Sequence, residues 1–187
     1  DWWVLEVSSF QIDGFKSLKP AVAVLTNITP DHLDRYNYKI ENYIASKVSL
    51  FKNMDEKDAA IYWLDDQLIQ SDFEKVNLKA DRFPFSLKEP QNKGGYFDGN
   101  AITVQAVGKR LTINPKDIIL KGTHNMLNTM CASLAATLAA SLLAAIRRTM
   151  AAESSLASTS ANAVVGFTVA NTDIVVNPNR MAERRDD

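Results

Sequence analysis

Three side chains in the first quarter of the chain have the types and spacing that metal-assisted chemistry needs. They are Glu6, His32 and Lys47, separated by 26 and then 15 positions. Glu6 ends an apolar run that begins at Trp2, and His32 follows the Val- and Ile-rich run 21–28. Such short, nearly continuous runs fit strands buried on both faces of a parallel sheet. In open α/β sheets ligands bind at the carboxyl ends of strands, so polar residues that terminate strands are the first candidates. Magnesium prefers oxygen ligands and keeps several waters; one carboxylate and one imidazole suffice if nucleotide phosphates complete the shell. The plainer alternatives are a solvated carboxylate at a strand end and a capping or surface histidine at a helix start.

Lys47 stands out by its neighbours. On a helical wheel at about 100 degrees per residue, Ile40, Tyr43, Ile44, Leu50, Phe51 and Met54 all fall within roughly 60 degrees of it. An ammonium in the middle of an apolar stripe is costly, and the usual escape is a depressed pKa. A lysine held partly neutral is a nucleophile. If it captures carbon dioxide it becomes a carbamate, an elongated anion able to face a metal. The alternative is a lysine that snorkels, with its head in solvent.

A second cluster is Gly122-Thr123-His124-Asn125-Met126-Leu127-Asn128. The two asparagines lie three apart and share a helix face. Paired amides can read the donor and acceptor edge of a purine, and glycine permits close backbone approach. N-capping by Thr123 with surface amides is the simpler reading. Cys131 is the one cysteine, in an apolar stretch, which excludes an intrachain disulfide and reads as a buried structural thiol.

The elements that must position these residues alternate. Runs 2–7, 21–28 and 59–64 read as strands, and Ile40 to Met54 reads as a helix. Thr29-Pro30-Asp31-His32 reads as an N-cap, a proline at the first helical position and an acid in the first turn, so a helix is expected to start there. The alternation predicts an α/β fold, a doubly wound and mostly parallel sheet. Between Asp81 and Pro115, short runs around Asp98-Gly99-Asn100 and Gly108-Lys109 suggest a small antiparallel β insert. An Ala-rich helix follows from Gly122 to about Met150. Beyond it, strands are expected at 163–169 and 174–176 without a firm architecture.

Composition narrows the classes. The balance of 21 Lys and Arg against 22 Asp and Glu gives no electrostatic footprint for nucleic acid or an anionic membrane. No stretch reads as a membrane span and no basic-then-apolar signal opens the chain, so the cytoplasm is the expected compartment. The start at Asp1, inside a strand-like run, suggests a chain cut from something longer. The seven glycines include no G-x-x-x-x-G-K-[ST] loop, so a main cradle for ATP phosphates is expected before residue 1.

Four segments in order then name a family. Glu6-Val7-Ser8-Ser9-Phe10-Gln11, Thr26-Asn27-Ile28-Thr29-Pro30-Asp31-His32-Leu33-Asp34-Arg35, Glu41-Asn42-Tyr43-Ile44-Ala45-Ser46-Lys47 and Gly122 to Asn128 resemble the motifs of the central ATPase domain of Mur ligases. The likeness covers residues 1 to about 140. The Ser-Ser-Phe-Gln form is similar to the D-glutamate-adding branch, whereas the branch that adds diaminopimelate or lysine typically has Ser-Ser-His.

The resemblance implies ATP and Mg2+ as cofactors and a step of peptidoglycan precursor synthesis. In that step ATP phosphorylates the carboxylate of UDP-N-acetylmuramoyl-L-alanine, and the amine of D-glutamate attacks the acyl phosphate. By position it implies Glu6 and His32 as metal ligands and Lys47 as a carbamylated lysine. It also implies Asn125 and Asn128 at the adenine with His124 beside them, and Ser8 near the muramoyl substrate. Family members carry a uridine-binding domain and a phosphate loop before this segment. After the Ala-rich helix they show a His-Arg motif and an Asp-Ser-Lys-Ala-Thr-like motif, and residues 141–187 show neither. The expected organisation is a partial central ATP-binding domain over 1–150 and a divergent tail over 151–187, inactive alone. The rival readings are a sibling ligase that adds the third peptide residue and a nucleotide-binding remnant without chemistry. Oligomeric state is not legible.

Overall fold

The computed structural model describes residues 2–119, 121–153 and 163–166, with side chains for 3–119 and 121–145. In chain order the elements are β1 (Trp2–Leu5), α1 (Ser9–Asp13), β2 (Val22–Leu25), a 3-10 turn (Leu33–Tyr36) and α2 (Ile40–Val48) with a 3-10 extension (Ser49–Phe51). Then come β3 (Ala59–Trp63), α3 (Gln67–Lys75), β4 (Asp81–Ser86), β5 (Gly94–Phe97), β6 (Ile102–Ala106), β7 (Lys109–Ile113) and a second short 3-10 turn (Pro115–Asp117). The last elements are α4 (Thr123–Glu153) and β8 (Ala163–Gly166).

One sheet holds all eight strands in the order β1-β8-β2-β3-β4-β5-β6-β7. The first six in that order pair in parallel, and β5, β6 and β7 form an antiparallel meander. The doubly wound, mostly parallel sheet expected from sequence is therefore present. Its β2 is buried at every position, as a central strand of Val and Ala should be. Along it the side chains alternate: Ala23 and Leu25 join the core cluster of α1, α2 and α3, while Val22 and Val24 join the cluster under α4.

Several expectations need correction. The small antiparallel part expected between Asp81 and Pro115 is present as the β5–β6–β7 meander, in which β6 alone runs against the rest of the sheet. It starts later than expected, because β4 and β5 pair in parallel. Turn residues say where a chain reverses, not which neighbour a strand takes. Pro84 tolerates its place in β4 because β5 begins pairing only at Phe85. The helix expected from Pro30 starts three residues later, at Leu33, with His32 rather than Thr29 at the cap. The strands that lead to Glu6 and to His32 are not neighbours, because β8 lies between β1 and β2. Two helices escaped notice. Helix α1 is too short for a periodicity, and α3 is announced chiefly by Asp66, whose carboxylate accepts the Leu68 and Ile69 amides.

The Ala-rich helix α4 includes an uncharged 23-residue stretch, Thr123–Ala145, long and apolar enough by length and composition to cross a bilayer. This overturns the reading that no stretch has that character. Its stripe Leu127, Met130, Cys131, Leu134, Ala135 and Leu138 is buried against the sheet, at the i, i+3, i+4 spacing of a core-facing helix. The tail contributes the end of α4 and, at β8, a strand where 163–169 was expected. The strand expected at 174–176 lies outside the described residues.

Candidate active site at the carboxyl edge of the sheet

Glu6 directly follows β1 and is exposed; among the described residues its carboxylate has no recorded partner. The chain then turns into α1 through a capping box, in which the Gln11 Oε1 accepts the Ser8 backbone N–H at 2.7 Å and the Ser8 hydroxyl at 3.1 Å. Ser8 is thus held at the mouth of the edge rather than free to rotate. His32 takes the left-handed conformation, φ 49° and ψ 36°, which is uncommon for a residue other than glycine. Asp31 stabilises it by accepting the His32 backbone N–H at 2.8 Å, with its other oxygen 3.5 Å from the imidazole Nε2. The imidazole makes no capping hydrogen bond and its side chain is 60% exposed. Its ring meets Phe10 edge-on at 5.3 Å, and the Arg35 guanidinium lies 4.4 Å from the same phenyl ring.

Lys47 is 1% exposed and among the largest fully buried side chains. Of its expected stripe, Tyr43, Ile44, Leu50, Phe51 and Met54 are buried in one core cluster and Ile40 packs at its margin. The lysine does not snorkel. Its Nζ lies 5.4 Å from the centroid of the Tyr43 ring, one helical turn earlier.

A carboxylate that sequence reasoning did not single out ties these pieces together. Asp13, at the end of α1, accepts the Ser46 hydroxyl at 2.6 Å with one oxygen and the Tyr36 hydroxyl at 3.1 Å with the other. Ser46 Oγ is also 3.1 Å from the Ser9 carbonyl. Three elements are pinned at one point. Each adjoins a candidate residue: α1 follows Glu6 and Ser8, the 3-10 turn begins after His32, and Ser46 precedes Lys47. Nothing in the spacing of Asp13, Tyr36 and Ser46 foretells this, because they meet only once the helices dock.

Helix α4 runs against the parallel strands. Its Leu138 and Ser141 line a cleft with Ala21, Val22 and Ala59, at the amino starts of β2 and β3. Asn128 lies ten residues earlier, about 15 Å up the helix, which is roughly the length of those strands. The opening turn of α4 therefore sits toward the carboxyl edge. There His124 is exposed, and the Asn125 side-chain amide donates to the Lys121 carbonyl at 2.9 Å. Asn128 differs: its Oδ1 is buried with no hydrogen-bond partner among the described residues. A buried acceptor left unpaired calls for a donor, and the exocyclic amine of a purine is one.

Glu6, Ser8 and His32 thus lie on the α1–α2 side of the carboxyl edge, with Lys47 buried on α2 in the core of that side, and the asparagines on the α4 side, with the end of β2 between them. Among the described residues no group of three or more His, Cys, Asp or Glu could hold a metal ion. Glu6 and His32 could therefore hold one only with water and phosphate as further ligands, which is the habit of magnesium. The residues fit that ion and a nucleotide together. The cleft of about 500 Å3 beside Leu138 lies at the opposite edge and contains none of the candidate residues.

Buried Cys131 has its thiol pushed up to about 12 by burial, which marks it as structural rather than reactive.

A doubly wound, mostly parallel sheet with polar candidates at its carboxyl edge defines the class, and comparison with known proteins gives the family. The Mur ligase middle domain model matches residues 1–136, and the chain belongs to that family. It is 43% identical over 151 residues to the UDP-N-acetylmuramoylalanine–D-glutamate ligase of Christiangramia forsetii, covering 81% of this chain and 34% of that protein. The ligase of the same name from Cytophaga hutchinsonii is 44% identical over 133 residues, 71% of this chain and 30% of its own. That of Bacteroides fragilis is 33% identical over 135 residues, 72% and 30% respectively. The chain spans about a third of the length of the curated relatives it matches. The resemblance read from the four motifs is borne out.

Proposed function

We propose that this chain supplies the nucleotide-handling middle domain of an ATP-dependent ligase that joins D-glutamate to UDP-N-acetylmuramoyl-L-alanine through an acyl phosphate. The domain takes in residues 1–150, with β8 from the 151–187 segment joining its sheet. One observation carries the reading: exposed Glu6 and His32 adjoin, and fully buried Lys47 lies on, elements that are pinned together through Asp13. Relatives matched over most of this chain bear the name of that ligase.

In this reading Glu6 and His32 hold Mg2+, which when bound neutralises phosphate charge. Asn128, with Asn125 and His124 nearby, receives the adenine, and Ser8 faces the muramoyl substrate. The Lys47 amine adds to carbon dioxide: a C–N bond forms, one proton leaves to solvent and the side chain becomes an anion. Its place in the core keeps competing water away and fixes its direction through α2. The reaction belongs in the cytoplasm, where ATP and nucleotide-linked precursors are found.

Ligation by the protein that contains this segment tests the proposal. With ATP, Mg2+ and UDP-N-acetylmuramoyl-L-alanine, phosphate release should depend on D-glutamate and should not be supported by lysine or diaminopimelate. Release that instead requires the D-glutamylated precursor with lysine or diaminopimelate would assign the sibling ligase, and no release with either precursor would leave a nucleotide-binding remnant.

A further inference from the structure

Two polar side chains at the end of β2 have no assigned role. Thr26 is 3% exposed and its Oγ1 has no hydrogen-bond partner among the described residues; the Oδ1 of Asn27 is buried and equally unpaired. A buried hydroxyl or amide without a partner is costly, and such groups persist where something absent from the bare chain completes them. Two in succession, at the carboxyl end of a central strand, lie where α/β sheets bind ligands.

Their position says what kind of ligand. Continuing the alternation of β2 by one residue puts Thr26 on the α4 side, with Val22 and Val24, while Ile28 packs in the α1–α2 cluster, so Asn27 lies where the chain turns from one face to the other. A nucleotide whose base lies at Asn128 and whose phosphates reach Glu6, His32 and Lys47 must cross the sheet edge. The end of β2 is two strands from the end of β1, roughly 10 Å. A polyphosphate is long enough to make that crossing. The loop there is fixed, because the Ile28 amide donates to Asp66 Oδ2 at 2.9 Å.

We propose that Thr26 and Asn27 form a binding step for the polyphosphate of a magnesium nucleotide where it passes from one face of the sheet to the other. The chemistry of the two groups divides the work. The Thr26 hydroxyl donates to a phosphate oxygen. The Asn27 Oδ1 can only accept, so it takes a hydrogen bond from a water of the magnesium shell rather than from phosphate itself. This rests on the nucleotide reading of the preceding section and adds to it two residues and their separate partners.

The test uses the chain as it stands and two readouts. Thr26→Val keeps the shape and removes the hydroxyl, Thr26→Ser keeps the hydroxyl, and Asn27→Ala removes the amide. Thermal unfolding without ligand reports any structural role, and calorimetry with Mg·ATP and with metal-free ATP reports binding. Thr26→Val should unfold no lower than wild type, since an unpaired polar group has been removed, yet bind Mg·ATP on the order of tenfold more weakly, with Thr26→Ser restoring affinity. Asn27→Ala should weaken Mg·ATP more than metal-free ATP. Unchanged Mg·ATP affinity in Thr26→Val would overturn the proposal and leave the proposed function standing. A lowered unfolding temperature in Thr26→Val would also overturn it, by showing that the hydroxyl has a partner within the fold. Wild-type protein that binds neither form of ATP would overturn both this proposal and the nucleotide reading for this chain.

Discussion

Replacing Ser46 with alanine removes one hydroxyl from the brace that fixes the helix carrying Lys47. Ser46 is 6% exposed, and its single proton has two acceptors within reach, Asp13 Oδ1 at 2.6 Å and the Ser9 carbonyl at 3.1 Å. The shorter contact is to a carboxylate and takes the proton. Hydrogen bonds to charged groups contribute about 1.5–3 kcal/mol net. Asp13 is itself exposed and can be rehydrated when the hydroxyl goes, so the loss should fall at the low end, about 1.5 kcal/mol. For a chain of this size that is a fall of roughly 3–6 °C in Tm. Urea unfolding followed by tryptophan fluorescence would measure it. A cycle with Asp13→Ala should show coupling of at least about 0.5 kcal/mol, since both changes break the same bond. A Ser46→Ala variant as stable as wild type, or changes that simply add, would refute the view that α1 and α2 are held through this contact.

Other expectations follow from single sites. Gly94→Ala should cost more than about 3 kcal/mol, because a Cβ there would lie 1.8 Å from the Pro84 carbonyl oxygen at a φ of +122°; an unchanged Tm would contradict that close approach. Cys131 should resist a neutral-pH thiol reagent until the protein unfolds, given a thiol pushed up to about 12, and rapid labelling of native protein would contradict its burial. The Ala101 and Asn100 backbone N–H groups hold the Asp98 carboxyl below its ordinary value of 3.8. Its contribution is therefore present above 3.8 and lost as pH falls through the depressed folded value, so Asp98→Asn should flatten the acid limb of the stability curve. A variant curve parallel to wild type would argue against this. Glu6→Gln and His32→Asn should change stability by less than about 0.5 kcal/mol, both sites being exposed and asparagine tolerating the left-handed backbone. In the ligase each should raise the magnesium requirement. If His32→Asn instead unfolds the chain with magnesium dependence unchanged, the histidine serves the helix end.

What could be read in the sequence was what local pattern encodes. The runs 21–28 and 59–64 announced β2 and β3 because central parallel strands are apolar on both faces. The stripe around Lys47 announced α2 and put the lysine among apolar neighbours, since helical spacing alone sets which residues share a face. It left open whether the head is buried or snorkels to solvent. Strand neighbours were another matter. The place of β8 between β1 and β2, and the parallel direction of β4, depend on where distant segments dock, and four residues such as Ala-Val-Val-Gly carry no label for that. Helix α4 misled in a different way, because alanine covers its outer face and only the spacing from Leu127 to Leu138 shows that one side is core. At the site, chemistry-bearing types picked out Glu6, His32 and Lys47. The Asp13 brace and the unpaired Thr26 and Asn27 became visible only with partners, or their absence, in space.

The most direct single measurement is carbon-13 NMR of this chain in labelled bicarbonate, with and without magnesium and ATP. If the buried amine of Lys47 faces the metal site, one slowly exchanging carbamate resonance should appear, grow with Mg·ATP and vanish in Lys47→Arg. Wild-type protein without a carbamate resonance under any of these conditions, or a resonance that survives in Lys47→Arg, would contradict the central claim that Lys47 works with Glu6 and His32 at this edge.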